Sequence, residues 1–573
     1  MEERRLLLAI ALSLLVLTGY QILFAPKPAP RQPVPRPAAA GSPPPPAAAS
    51  RVESPPGGAG QAAPVARSAA VPAVSDERER RVEVATSGFT VAFSNRGARL
   101  LSWRLHDYRD ERGRPEEMVR TIPEGPRALD LETGDPEIDA RLREALFRPS
   151  SEGVSVPPGG QAMLEFEFAE GELEARKTLR FEDQRFLVQV LAQVRLSGRE
   201  LPVKLVWGPG IGNPSAAERE VQGYQPPQAV ALTPAGVQRV PPDDIGGGAR
   251  PLPAVRWVGV ESQYFTALLV PAEEPRPAEL RAVDLPAVED AEASKGPAAV
   301  LDLGTSGGPA LLYVGPKDHQ RLSRLGHELA RIVPVGDWIG PIVVPLMKLL
   351  RWVHGHVGNY GWSIVALTIL INLVMSPFRH YSIANGVKMA RLAPEMKVIQ
   401  ERYRKVPALD PRRQEMQKEI AALYARHGMS MGTQMAVGCL PLLLTMPFLI
   451  AFYRVLQVSI ELRGAPFLWI ADLSQKDPLF LTPVLMGGSM FVMQKMIPTA
   501  MDPAQQRMMM LMPVVLMGMF LWAPAGLNLY WLASNLCSIV QQGVTLKMIR
   551  SGEKERDKDK AEGSRPGKKA RHA

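Results

Sequence analysis

Five residues near the C-terminal end, Asn528, Trp531, Asn535, Ser538 and Gln542, recur at spacings of 3, 4, 3 and 4. On a helix of 3.6 residues per turn that spacing places them on one face. The run TILINLVMSPF adds a second line, Thr368, Asn372 and Ser376, four residues apart. Thr445 lies within PLLLTMPFLI, and Gln494 and Lys495 close FVMQKM. These hydroxyls, amides and indole sit among Ile, Leu, Val and Met, and no nucleophile is paired with a base. The chemistry on offer is hydrogen bonding within an apolar medium. One reading is bonding between membrane helices, for which Ser, Thr and Asn are commonly used. The other is a water-accessible cavity, favoured when polar lines occur on several helices at once.

Bond-making motifs are absent from the sequence. There is no Gly-rich phosphate loop ending in Lys-Ser/Thr, no HExxH and no Cys/His cluster, so no cofactor and no metal is expected. The only cysteines, Cys439 and Cys537, lie in apolar runs and cannot form a disulfide framework. GTSGG at residues 304–308 matches the nucleophile-elbow pattern, but the PALLYVG that follows reads as a strand where that motif needs a helix. A hairpin turn is expected there. His354 and His356 read as amphipathic helix-end residues. We expect a protein that is not an enzyme.

The elements that must hold these lines follow from composition. The 573 residues carry a net charge of +9, and a mean hydropathy of −0.05 averages a polar first half with an apolar second half. Residues 1–25 have a basic flank and about nineteen apolar-dominated positions, long enough to cross a bilayer, and no plausible cleavage region follows. This predicts an uncleaved anchor. Residues 26–75 are Pro, Ala, Gly and Ser, a spacer that cannot bury a core. Over 76–331 strand patterns dominate. Leu164, Phe166 and Phe168 alternate with Glu165 and Glu167, and GFTVAFSNRGARLLSWRL reads as two strands around Asn-Arg-Gly. A soluble β-sandwich is expected. Residues 332–357 include WIGPIVVPLMKLLRWVHGH, too short and too charged to span, and read as an interfacial helix.

Five spans follow at about 361–378, 434–457, 479–497, 508–523 and 526–546, within a membrane region of 358–546. Residues 383–427 between the first two read as a helical hairpin, with Asp410 and Pro411 starting its second helix. Met416, Ile420 and Leu423 share one face of that helix. Six methionines between Met508 and Met519 suit either an adaptable apolar surface or lipid-facing filler.

Charge then sets orientation. Residues 379–433 carry eleven Lys or Arg against five acids, and the tail 547–573 carries ten against five, whereas 461–477 holds two cations. By the positive-inside rule the hairpin and both termini are cytoplasmic and the β-domain lies outside. The fold class expected is a multi-domain membrane protein with six transmembrane α-helices, a soluble β-sandwich domain and a cytoplasmic helical hairpin.

Several long stretches resemble one family. NYGWSIVALTILINLVMSPF, LAPEMKVIQERY, CLPLLLTMPFLIAFYRVLQVSIELRGAPFLWIADLSQKDP, GGSMFVMQKM and WAPAGLNLYWLASNLCSIVQQ are similar, in order, to the YidC/Oxa/Alb membrane insertases. WVGVESQYFTALLVP and GPGIGNP look like that family's periplasmic domain. The resemblance implies a five-helix insertase core and a bacterial inner membrane location. It also implies insertion and folding of nascent membrane proteins from the bilayer, alone or with the Sec translocon, through a hydrophilic groove. On it, Thr368 matches a groove residue, Trp531 stands where the family has tyrosine, and Asn372 stands where it has an arginine on the second span. Arg454, near the outer end of the third span, is the candidate for a substitute cation, although its position suits snorkelling to the interface. The basic tail and hairpin suit a ribosomal RNA partner, and the tail suits a simple topology anchor equally well. Two competing readings are a transporter or channel, which would show repeated halves, and an anchored periplasmic carbohydrate-modifying domain. The latter would need a convergent histidine and carboxylate set, and His106, His319 and His327 form no recognisable motif.

Overall fold

The computed structural model describes residues 73–563, except 111, 121, 123–126, 184–185, 213–218, 220–223, 286–293, 306, 337, 404–405, 408–409, 429–445 and 497–502. The expected N-terminal anchor, nearly all of the spacer, Cys439, Thr445, the first half of the third span and the end of the tail lie outside the described residues.

Residues 81–316 build three sheets. A five-stranded sheet holds Arg81–Ala85, Phe89–Ser94, Arg99–Arg109, Pro115–Glu117 and Gly153–Ser155. A ten-stranded sheet centres on Gln161–Glu170, Leu173–Glu182, Leu187–Leu196, Ala310–Pro316 and Phe265–Pro271, all antiparallel. A second five-stranded sheet includes Val203–Trp207, Arg276–Leu285 and Ser294–Gly304. The pairing Ser94↔Arg99 fixes the Asn-Arg-Gly turn where the sequence placed it. Leu164, Phe166 and Phe168 are buried, while Glu165 and Glu167 pair with Arg176 on the outer face. Phe93 meets Phe166 and Phe181 at 5.8 and 6.4 Å, which joins the first sheet to the large one.

The GTSGG segment differs from the expected hairpin. Ser294–Gly304 pairs with Val203–Trp207 and Arg276–Leu285, whereas Ala310–Pro316 pairs in the ten-stranded sheet. The turn is thus a crossover between sheets. Gly307 has φ +56°, and a Cβ there would stand 2.0 Å from the Ala192 carbonyl, so the crossing needs glycine.

Helix α1 (Pro136–Glu144) is capped by Asp135, and α2 (His319–Leu325) by Asp318. Helix α3 (Gly340–Val357) occupies the expected interfacial segment and stops at Gly358, φ +72°. Its Val343, Leu346, Met347, Leu350 and Val353 are buried, while Trp338, just before it, and Trp352 are exposed. Helix α4 (Tyr360–Arg402) carries the first polar line, and from residue 385 its turns belong to a separate compact unit. In that unit α5 (Arg412–Arg426) buries Ile420, Leu423 and Tyr424 with Leu392 and Met396 of α4. The helix starts one residue later than expected. Asp410 caps it all the same, taking the Arg412 N–H at 2.9 Å.

The remaining helices are α6 (Met446–Val458), α7 (Leu481–Met496), α8 (Pro503–Met519) and α9 (Ala525–Gly563). Among the described residues only α4 is long and apolar enough to cross a membrane by length and composition, which does not confirm the expected count of six. Helix α7 has 16 residues, about 24 Å at 1.5 Å each, against about 30 Å of hydrocarbon. In α9 the polar residues themselves lower the hydropathy.

Candidate functional site

The two polar lines meet, but in a register that the sequence alone did not give. Helices α4 and α9 run side by side in the same direction. Down their seam, Asn372 Nδ2 reaches Ser534 Oγ at 3.5 Å, and Gln541 Nε2 donates to Ser376 O and Oγ at 2.7 and 3.1 Å. Further along, His380 Nδ1 lies 3.2 Å from Thr545 Oγ1. Thr368 is fully buried above them, its hydroxyl donating to Ile364 O at 2.7 Å.

Asn535 instead faces α7, where Nδ2 donates to Ser489 Oγ at 2.9 Å. Asn528 donates to Phe520 O at 3.2 Å, Gln494 to Met509 O at 2.7 Å, and Trp531 packs edge-on to Phe520 at 4.9 Å. The predicted face of α9 is therefore two interleaved faces. Ser534, Ser538, Gln541 and Thr545 turn to α4, and Asn528 and Asn535 turn the other way. Ser534, Gln541 and Thr545 were missed because, with Ser538, their 4, 3, 4 spacing is as helical as the line that was chosen.

Arg379 was missed as well. It lies seven residues beyond Asn372, about two turns along the same face. Its neighbours Ser376 and His380 bond Gln541 and Thr545, yet its own Nη1 donates to Ser538 Oγ at 2.5 Å. Ser538 precedes both of those partners on α9. The guanidinium thus reaches back into the bundle, away from the basic segment that follows it. Arg454 is 7 % exposed, with Nη1 3.4 Å from Gln457 Oε1.

One pattern unites three of the amides. Asn372 donates to Thr368 O at 2.8 Å, and Gln494 and Asn528 also spend an N–H on a backbone carbonyl. Only the nitrogen can bond a carbonyl, so each orientation is fixed by chemistry. Among the described residues their oxygens, Asn372 Oδ1, Gln494 Oε1 and Asn528 Oδ1, are buried without a hydrogen-bond partner. An unmade hydrogen bond of this kind costs about 1–3 kcal/mol, and three of them on neighbouring helices form an acceptor-rich interior.

Comparison with known proteins places this bundle. The family described as the YidC periplasmic domain matches residues 81–349, and that described as the 60Kd inner membrane protein matches 352–553. A protein of Geobacter metallireducens titled "Membrane protein insertase YidC" is 32 % identical over 568 residues, covering 96 % of this chain and 99 % of its own length. The chain belongs to the YidC family. A Geobacter sulfurreducens protein of the same title is also 32 % identical, over 561 residues and the same shares of both chains. A YidC of Aromatoleum aromaticum reaches 42 % over 258 residues, 44 % of this chain and 45 % of that protein. A solved structure titled "Active YidC insertase crystal structure with the first transmembrane domain resolved" is 17 % identical with a TM-score of 0.34, over 83 % of this chain and 95 % of that one. As in YidC, a β-rich periplasmic domain precedes a helical inner-membrane region.

Proposed function

We propose that this chain, a membrane protein insertase and not an enzyme, receives the polar flank of an incoming segment along the residues Thr368, Asn372, Ser376, Arg379, Thr445, Gln494, Asn528, Trp531, Asn535 and Ser538. The three unpartnered amide oxygens carry this reading. In hydrocarbon an orphan acceptor is retained only at a cost. Water or the backbone N–H groups of a passing chain remove that cost, so the interior is suited to transient hydrogen bonding. Arg379 adds a charge: among the described residues its only hydrogen-bond partner is Ser538, which leaves it available to an acidic flank. The apolar part of the substrate then partitions sideways into lipid, driven by burial, with the membrane potential acting on acidic tails moving outward. No nucleotide enters the scheme.

Around this core we place six spans, with both termini and the hairpin cytoplasmic and the β-domain periplasmic, on the charge distribution given above. The domain boundaries 1–25, 26–75, 76–331, 332–357, 358–546 and 547–573 belong to the same proposal. The Sec translocon is a proposed partner through shared substrates, and the ribosome through the basic tail. Deleting residues 552–573 should weaken ribosome co-sedimentation at low salt, and unchanged binding would remove the tail from that role.

Purified protein in lipid vesicles tests the function. A small coat-protein-like substrate should become protease-protected without nucleotide or Sec components, whereas solute flux without insertion would favour a transporter.

A further inference from the structure

The guanidinium of Arg351, on the interfacial helix α3, touches three segments. Nε lies 2.9 Å from Glu461 Oε1, Nη2 lies 3.3 Å from Asp318 Oδ1, and Nη1 donates to Gln320 Oε1 at 2.6 Å. Asp318 and Gln320 belong to the β-domain side. Glu461 lies in the loop 459–480 between α6 and α7. The three charged side chains are about one-fifth exposed, 21 %, 21 % and 20 % for Arg351, Asp318 and Glu461, so water screens them only in part.

The loop that Glu461 belongs to is bonded to the outer ends of three helices. Asn359, just ahead of α4, donates from Nδ2 to Pro466 O at 2.9 Å. Asp477 takes the Thr482 N–H and hydroxyl at 2.7 and 2.8 Å, which caps the start of α7. The N–H groups of Ala525 and Gly526, the first residues of α9, donate to Gln475 O and Leu473 O at 2.6 and 2.9 Å. A displacement of the loop therefore displaces α4 and α9, whose side chains must meet across a hydrogen-bonded seam. The β-domain grips the same loop separately, through Arg463 Nη1 and Glu116 Oε2 at 2.9 Å.

We infer that Arg351 is a positioning residue for insertion: by holding Glu461 it lets the interfacial helix fix the 459–480 loop and, through it, the register of α4 against α9. The Glu461 contact carries this role, and the contacts to Asp318 and Gln320 only dock the β-domain. The inference rests on the insertase reading, and the wild-type arm of the experiment tests that reading by itself.

Full-length protein in vesicles is assayed for the initial rate of insertion of the coat-like substrate at several substrate concentrations. Arg351→Gln and Glu461→Gln should each lower the maximal rate about tenfold, the scale of one lost charge-assisted contact, with the half-saturating concentration unchanged. In an Asp318→Asn background, which removes the carboxylate that would otherwise repel the introduced one, Arg351→Glu combined with Glu461→Arg should recover the rate to within about twofold of wild type. Asp318→Asn should insert at the wild-type rate. Should Arg351→Gln fail to fold, Glu461→Gln and the charge swap still decide. Wild-type rates in both single variants, or a swap no faster than the singles, would overturn the inference. A wild type that inserts nothing would instead overturn the insertase reading.

Discussion

Asn372 occupies the position where the family resemblance calls for a cation, and the structure supplies one two turns further along in Arg379. Burying a charge near mid-bilayer costs about 2.5–3.5 kcal/mol on insertion scales, whereas Arg379 sits close to the end of its span that we propose is cytoplasmic and bends inward to Ser538. Amide wetness at depth and charge at the mouth can thus be separated by mutation. Asn372→Leu should stop insertion of substrates with polar tails, because it replaces a polar, water-holding side chain with an apolar one. Asn372→Arg should be tolerated, and Arg379→Gln should slow substrates with acidic flanks while sparing those with neutral ones. Arg454→Leu should matter little; an inactive Arg454→Leu rescued by Asn372→Arg would place the needed charge on the third span instead. A second residue-scale test concerns Lys177, fully buried in the β-domain, whose Nζ donates to Ala98 O at 2.7 Å and Leu129 O at 2.6 Å. Both carbonyl residues have positive φ, 45° and 66°, so the lysine holds two strained turns. Burial pushes its amine down to about 7 from 10.5, with Asp130 opposing and Arg99 adding to the shift. Between those values the unfolded chain binds the extra proton, so the domain should gain stability as pH rises from about 7 towards 10.5. Lys177→Met should flatten that slope. At pH about 9 it should also cost about 1–3 kcal/mol, by stranding carbonyls, as read by tryptophan fluorescence during urea unfolding.

At the scale of elements, alternation made the strands legible, because Leu164, Phe166 and Phe168 bury one face whichever strand lies beside them. Strand partners were not legible. The Gly304–Gly307 turn looked like a hairpin because nothing local distinguishes a return in one sheet from a crossing to another. The same limit hid the division of α9: its two polar lines are equally periodic, and only the neighbouring helices decide which residue meets Ser376 and which meets Ser489. Helix α3 was legible from its apolar face, but the role proposed for Arg351 depends on Glu461, 110 residues away. These contacts argue for a division of labour that deletion can test. Excising residues 81–317 removes Asp318's neighbours and Glu116 yet leaves Arg351 opposite Glu461. Insertion should be largely retained in that variant and lost when α3 is removed as well. Insertion abolished by the first excision alone would move function outside the membrane.

At the scale of the whole molecule, the charge pattern makes a demand that hydropathy alone does not. Only α4 is long and apolar enough to cross a membrane among the described residues, so a count of spans from length is weak, whereas the basic hairpin and the cation-poor 461–477 loop assign sides independently of helix length. Short helices such as α7 can still cross where the bilayer is thinned, at a cost of fractions of a kcal/mol per Å of mismatch. A thinned bilayer would also shorten the path for a polar segment drawn towards Asn372. Topology can be read from lysines. Lys295 of the β-domain and Lys348 of α3 are exposed, as are Lys388, Lys397 and Lys418 of the hairpin. A membrane-impermeant amine reagent applied to spheroplasts should therefore modify Lys295 and Lys348 at once, and the three hairpin lysines only after lysis. Lys177 should stay unmodified in both cases, since burial shields it wherever the domain resides. Modification of Lys388, Lys397 or Lys418 in sealed spheroplasts would invert the hairpin and put Arg379 at the outer face. There it would meet an emerging tail rather than an entering one, and the insertion path proposed for it could not operate.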